Sequence, residues 1–272
     1  MKLSVMSYTL ARGRRDEDFD LVRMCRLTLE LGLEGIDMVT LYGRHPREVR
    51  KLLDDFGLRA VCHTFMADLN HTDAKAQQPA LDSIRRGLDN AKAIGADKVM
   101  IVTPGKEGVP RHETRRNFIR GLQQAAPWAQ AAGIALTVEN FPGATSPFVL
   151  ASDFQEARKE VPGLKLTFDN GNVFTGGEDP AESFRRCAAD VAHAHFKDWE
   201  ICTDGLLGLD GRRYRGALIG EGVLDQKSCL AAMKEAGYGG FINIEYEGSK
   251  YDPEEATRRA AKYLTGLMAE LG

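Results

Sequence analysis

The sequence predicts an α/β protein, a single closed (β/α)8 barrel over residues 1–272, and three observations carry that prediction. Short apolar runs alternate eight times with amphipathic stretches of helical period. No linker or composition break divides the chain. Two of the apolar runs, Ile134–Asn140 (IALTVEN) and Phe241–Gly248 (FINIEYEG), reach a glutamate where the run gives way to loop residues. Barrel enzymes keep their chemistry at that end of the strands.

In chain order, Leu3–Tyr8 is expected as the first strand and Asp18–Leu31 as an amphipathic helix closed by Gly32. Gly35–Val39 is the second strand, and Pro46–Phe56 a helix stopped by Gly57. Arg59–His63 is the third strand, before a long helix, Ala74–Ile94, ended by Gly95. Lys98–Thr103 is the fourth, broken by Pro104, and His112–Ala132 is the helix that Gly133 ends. Ala135–Glu139 is the fifth strand, and in the helix Ser152–Val161 the residues Ser152 and Gln155 have capping-box spacing. Lys165–Asp169 is the sixth; Asp179, Pro180 and Glu182 then supply an N-cap, a proline at the first helical position and an acid at the third. Val191–Phe196 is the seventh strand, followed by a helix over Asp225–Ala236, and Phe241–Glu245 is the eighth. Asp252, Pro253 and Glu255 open the last helix, which runs to Leu271. Two connections exceed the usual length, Asn140–Ala151 and Lys197–Leu224, and long loops in compact domains tend to be functional. The second, with Trp199, the stretch GLLGLDGRRYRG and IGEG, reads as a lid or pocket wall.

Charge and cysteine usage narrow the function. The 36 basic and 39 acidic residues leave a net charge of -3 without a long basic run, which excludes a nucleic-acid footprint and favours a small-molecule partner. The 43% hydrophobic content supports a sizeable core. Five scattered cysteines without CxxC spacing read as reduced buried thiols of a cytoplasmic protein. The N-terminus reads as a strand rather than a signal peptide, and no stretch is apolar and long enough to cross a bilayer. A homo-oligomer is compatible with all of this.

Side chains two apart on a strand share a face. Inward parity therefore groups Thr137 with Glu139, Thr167 with Asp169, His193 with His195 and Lys197, and Asn243 with Glu245. Glu139, Asp169, His195 and Glu245 fall at or near the ends of strands five to eight. Three carboxylates and an imidazole around one point repel unless a cation lies among them. Oxygen-rich ligation with one histidine suits manganese, magnesium or cobalt better than a thiolate-seeking ion. His63, at the end of strand three, is a candidate contact for a substrate hydroxyl. His193 is either a hydrogen-bonded core histidine or a support for a ligand. Lys197 and Asp198 either touch substrate or pair with each other. Asn140 and Asn172 either orient ligands and substrate or cap loops, and the cluster Arg212, Arg213, Arg215 either binds substrate or is a solvated loop.

TVEN, FDNGN with GGEDP beyond it, HFKDW, IGEG and the final strand ending in glutamate together resemble the sugar phosphate isomerase/epimerase family. This is the xylose isomerase-like TIM barrel group that also includes AP endonuclease family 2. The resemblance spans the chain and implies one divalent metal, manganese first with magnesium, cobalt or zinc as alternatives, held by Glu139, Asp169, His195 and Glu245. It also implies that Glu139 and Glu245 are the acid/base pair of a ketose 3-epimerase. His63, Asn172, Lys197 and Trp199 are the candidate substrate contacts read from the residues, and the resemblance adds an arginine after the metal histidine, Arg215 or Arg213. The implied function is a carbohydrate-metabolism isomerase or epimerase acting beside a ketone through an enediolate. Two departures are informative. The epimerases carry Asp-x-x-His on strand six, where this chain has Asp169 and Asn172; the DNA-repair branch needs that histidine and an Asp-x-His before IGEG, where Tyr214 and Gly216 stand. The nuclease is thereby excluded. GGEDP resembles the inosose dehydratase branch, so a lyase acting on an inosose or 3-keto-glycoside through the same site is the alternative.

Overall fold

Eight parallel strands close into a barrel in the computed structural model, which describes residues 1–272. They are β1 (Lys2–Met6), β2 (Gly35–Val39), β3 (Arg59–Met66), β4 (Lys98–Val102), β5 (Ala135–Glu139), β6 (Lys165–Asp169) and β7 (Val191–Phe196). Three strands outside the barrel follow, β8 (Asp198–Cys202), β9 (Leu206–Leu207) and β10 (Arg213–Ala217), before β11 (Phe241–Ile244) completes it. Pairing of β1 with β11, Lys2 opposite Phe241 and Leu3 opposite Ile242, leaves the barrel without an edge strand.

The helices on the outside are α2 (Leu21–Glu30), α3 (Pro46–Asp55), α4 (Ala74–Ile94), α5 (Arg111–Ala132), α6 (Ala151–Glu160), α8 (Pro180–Cys187), α9 (Gln226–Glu235) and α10 (Pro253–Leu271). Two short ones, α1 (Ser7–Ala11) and α7 (Asn170–Phe174), sit directly on the ends of β1 and β6. The greasy strand face, including Leu136, Val138, Phe168, Ala194, Ile242 and Ile244, is buried with Leu122, Phe154, Phe184, Leu230 and Leu264 of the helices. The opposite face is polar and buried. Ser4 donates to Asn243 at 3.0 Å, and the Thr137 and Thr167 hydroxyls meet at 2.7 Å. Glycines end α4 and α5 as the sequence predicts, Gly95 at φ 80 and Gly133 at φ 68, in the left-handed region where a Cβ is penalised.

The structure differs from the sequence expectation in four places. The first strand stops at Met6 rather than Tyr8, because the Ser7 hydroxyl accepts from the Val39 N–H and the Tyr42 O–H while Thr9 accepts from the Tyr246 N–H. These clasps pull the segment into a helical turn against β2 and the end of β11. The third strand runs on past His63 to Met66. Helix α6 is capped by Asp153, not Ser152; its carboxylate accepts the N–H groups of Val149 and Leu150, both at 3.0 Å. The connection after the seventh strand is not a loop but an antiparallel sheet in the order β8-β10-β9. Trp199, Tyr214 and Leu224 form a small core beneath it, with Phe174 packed against them. No helix is long and apolar enough to cross a membrane. Cys25, Cys62, Cys187 and Cys229 are buried, and Cys202 is half-buried.

Candidate metal centre

Strands β5, β6 and β7 and the residue after β11 bring Glu139, Asp169, His195 and Glu245 together, with one donor atom from each inside a 4.8 Å cluster. All four are at least 95% buried. His195 Nδ1 faces the carboxylates, 2.7 Å from Glu139 Oε1 and 3.6 Å from Glu245 Oε2. Its other nitrogen, Nε2, lies 3.0 Å from Asp37 Oδ2. Asp37, fully buried on β2, also takes His193 Nε2 at 3.0 Å and the Thr64 hydroxyl at 2.9 Å. His193 is thus a hydrogen-bonded core histidine that shares one carboxylate with His195.

The ionisation of these groups follows from burial and contact. Burial raises the Asp37 carboxyl, but hydrogen bonds from His193 and His195 outweigh it and hold Asp37 ionised, well below the usual range. Burial opposes charge on His195, yet its bonds to Asp37 and Glu139 prevail and lift its pKa well above 6.5. His193, with one partner fewer, is pulled down by burial to about 4. Desolvation, with Glu139 and Glu245 nearby, pushes Asp169 upward against the pull of Lys197.

These residues fit a divalent cation. Asp169 Oδ2 and Glu245 Oε2 are buried without a hydrogen bond, with Lys197 Nζ and His195 Nδ1 standing off at 3.4 and 3.6 Å, so both oxygens keep lone pairs to offer a cation. Three carboxylates with one imidazole form a donor set for a hard or borderline ion. Nδ1 of His195 would bind it, with Nε2–H donating to Asp37 and fixing the tautomer and ring orientation.

Amide side chains lock this end of the barrel. Asn140 donates to the Asp169 carbonyl at 2.6 Å and accepts the Asp169 N–H at 2.9 Å. One strand further on, Asn170 accepts the Lys197 N–H at 3.0 Å and donates to Gln226, which in turn holds the Lys197 carbonyl. The Asp169 carboxylate also receives the Asn172 N–H at 2.7 Å, while the Asn172 side chain is buried without partners. Asn140 therefore ties the end of β5 to β6, and Asn172 contributes its backbone.

The cluster opens into a cavity of about 260 Å³ at the C-terminal ends of the strands, with Glu139, Glu245, Lys197, Glu247, Tyr8 and Thr64 on its wall. Lys197 Nζ lies 3.0 Å from Glu245 Oε1, 3.4 Å from Asp169 Oδ2 and 3.2 Å from Glu247 Oε2. Burial disfavours its charge, but Asp169, Glu245 and Glu247 together keep it protonated. Lys197 and Asp198 do not pair. The Asp198 carboxylate instead accepts the N–H groups of Trp199, Gly220, Gly222 and Leu224 at 2.9, 2.9, 3.2 and 3.1 Å, caging the IGEG turn. Gly222 is required there, since a Cβ would come within 2.1 Å of the carboxylate.

Four of the expected substrate contacts lie elsewhere. His63 has outward parity on the lengthened β3; it bonds the Met38 carbonyl at 3.0 Å and lines a hollow with Pro46, Ser83 and Arg86 of the helix layer. Trp199 is buried beneath the small sheet and lies tilted against Tyr214, 6.4 Å between centroids and 59° between ring planes. Arg215 is on the outer face of that sheet, paired with Glu200 at 3.2 Å and Asp204 at 2.6 Å, and Arg213 is exposed beside it. Asn172 is buried and does not line the cavity. Of that set only Lys197 reaches the cavity. Sequence reasoning missed Asp37, Tyr8 and Glu247; the only signals were an acid inside the apolar run GIDMV and a second glutamate at the parity of Glu245.

Known proteins resemble this chain over nearly its whole length. The inosose dehydratase of Lacticaseibacillus casei is 26% identical over 259 residues, 87% of this chain and 86% of that protein. A solved L-ribulose 3-epimerase superposes with a TM-score of 0.83 at 14% identity, covering 99% of this chain and 95% of its own. The IOLI protein with a bound zinc atom superposes at 0.82 with 18% identity, covering 100% and 99%. The family profile described as xylose isomerase-like TIM barrel matches residues 25–267. With the closed barrel and the strand-end cluster, that match makes this chain a member of the xylose isomerase-like TIM barrel family.

Proposed function

We propose that the protein is a divalent-metal-dependent sugar isomerase or epimerase that acts beside the ketone of a keto-sugar. The observation that carries the reading is the placement of Glu139 and Glu245, from strands β5 and β11 on either side of β6 and β7, with both carboxylates lining one cavity. Glu139, Asp169, His195 and Glu245 would hold a divalent ion, manganese first with magnesium, cobalt or zinc as alternatives, and that ion would supply Lewis-acid polarisation of a carbonyl oxygen. The protein's own groups handle the proton. One glutamate removes it from the carbon next to the carbonyl, and the other returns a proton from the far side, inverting that carbon. Positioned acid/base groups of this kind contribute about 10²- to 10⁴-fold. Asp37 holds His195 in register.

Elimination is the second reading, favoured by the likeness to inosose dehydratase and by Lys197, whose ammonium lies 3.0 Å from Glu245. With a leaving oxygen beta to the carbonyl, the same proton removal expels it and Lys197 is placed to donate to it. Incubation of metal-loaded protein with keto-sugars in deuterated water separates the two by NMR. An epimerase gives an isomer of unchanged connectivity with deuterium at the inverted carbon; a lyase gives an enone and loss of water or aglycone. Glu139→Gln and Glu245→Gln should each lower α-proton exchange at least about 10²-fold while His195→Ala loses bound metal. Wild-type exchange in either glutamine variant removes that residue from the mechanism.

A further inference from the structure

A second hollow, of about 410 Å³, opens on the outer side of the barrel between the loop after β2 and helix α4. It is larger than the cavity over the metal cluster and shares only Met66 with it. Its wall carries two cations, Arg44 and Arg86, and no carboxylate. Neither guanidinium is in an ion pair. Arg44 donates to the Phe19 carbonyl at 2.7 Å and the Tyr42 carbonyl at 3.3 Å, and Arg86 to the Ser83 hydroxyl at 2.8 Å. Neutral oxygens thus hold both heads in place without cancelling their charge. A guanidinium has five N–H donors, so most of them stay free for a ligand.

The remaining lining adds uncharged polar groups and an apolar floor. His63, only 2% exposed, gives its Nδ1–H to the Met38 carbonyl at 3.0 Å, which leaves Nε2 free to accept from a ligand hydroxyl. The side-chain amide of Asn90, half-buried on the same wall, has no hydrogen bond within the protein. Phe65 and Met66 form the floor, and Gly87 admits the Phe65 ring, since a Cβ there would lie 2.2 Å from it. The rim is strained. Thr40 at φ 62 and Tyr42 at φ 50 are the two non-glycine residues of the chain in the left-handed region, a conformation that persists where the surroundings enforce it and that gathers at ligand clamps.

We propose that this hollow is a second binding site, separate from the metal centre, for a small phosphate monoester. Two uncompensated guanidiniums match a group carrying about -1.5 to -2 charges at neutral pH, and their planar forks suit its oxygens. The carbon skeleton of the ester covers Phe65 and Met66, which bare phosphate would leave exposed.

Calorimetry on the full chain, metal-loaded and after chelation, tests this with phenyl phosphate, inorganic phosphate and benzoate as probes. Phenyl phosphate should bind at least about tenfold tighter than either of the others, and chelation should not change its affinity. Arg86→Gln should weaken it about tenfold through loss of charge-assisted hydrogen bonds. Because Arg44 also holds its loop, the companion variant is Ser83→Asp, whose carboxylate pairs with Arg86 three residues on and should weaken binding as much. Arg47→Gln, exposed on α3 and off the wall, should bind as wild type does. Absent binding of phenyl phosphate overturns the proposal, as does inorganic phosphate or benzoate binding equally well or better. Wild-type affinity in Arg86→Gln and Ser83→Asp overturns it too, as does an equal loss in Arg47→Gln. Binding that disappears on chelation places the anion at the metal centre instead and ends the proposal. All readouts are of binding, so none depends on the keto-sugar reading.

Discussion

Lys197 is a cation inside a cluster whose carboxylates would otherwise attract a metal, so it competes with one. Unit charges about 4 Å apart interact by about 4 kcal/mol at the effective dielectric of a partly screened site. Glu247 offers the ammonium a second position, 3.2 Å away and outside the ligand set. Lys197→Met should therefore tighten divalent metal binding by at least about tenfold, about 1.4 kcal/mol, as measured by equilibrium dialysis against wild type. Unchanged or weaker binding would show that Lys197 is no competitor. The clustering of Glu139, Asp169, His195 and Glu245 was readable from sequence because the two-residue period of a strand and the position of strand ends are local properties. His63 was misread because β3 runs three residues beyond it, which places His63 mid-strand on the outward face. Burial there holds its pKa below the usual 6.5 against the pull of the Met38 carbonyl. As pH falls through about 6.5, the unfolded chain takes up a proton that the fold refuses until its lower pKa is reached, so stability declines in that window. Melting temperature should fall between about pH 7 and about pH 5, and His63→Gln should shallow that slope; an equal slope would clear His63 of the effect.

At the scale of elements, helices and barrel strands were legible where apolar period and glycine stops agree, as at α4 and α5. The excursion after β7 was not. Its strands are short and interrupted by glycines, and the pairing of Arg215 with Glu200 and of Gly216 with Trp199 joins residues that no local window relates. Asp153 escaped notice as a cap because it reaches back to the amides of Val149 and Leu150 from inside the helix. The small sheet turns the arginine cluster outward. Arg212 pairs with Asp210, and the ion pairs of Arg215 are on an open face, where such contacts contribute about 0–1 kcal/mol. Arg215→Ala should leave KM within about twofold and the melting temperature nearly unchanged. A large rise in KM would mean that the sheet swings over the mouth during turnover.

At the scale of the whole molecule, eight repeats of strand and helix made the barrel predictable, and closure of β1 on β11 follows once all eight are counted. The polar interior was harder to foresee. Asp37 sits on a strand remote in sequence from His193 and His195, and a lone aspartate in a short apolar run gives no hint of a partner more than 150 residues away. The carboxylate of Asp198 bears on how the molecule opens. Surface turns ordinarily exchange their amide hydrogens with solvent long before barrel strands do, because local fraying takes little free energy. Here the amides of Gly220, Gly222 and Leu224 are bound to a buried carboxylate at the base of the excursion, so their deuteration in native-state exchange should be slow, nearer to that of β7 than of a loop. Asp198→Asn should release all three together, whereas fast exchange in the wild type would mean that the cage opens freely. The protein then has, on its catalytic rim, a turn that opens with the barrel rather than ahead of it.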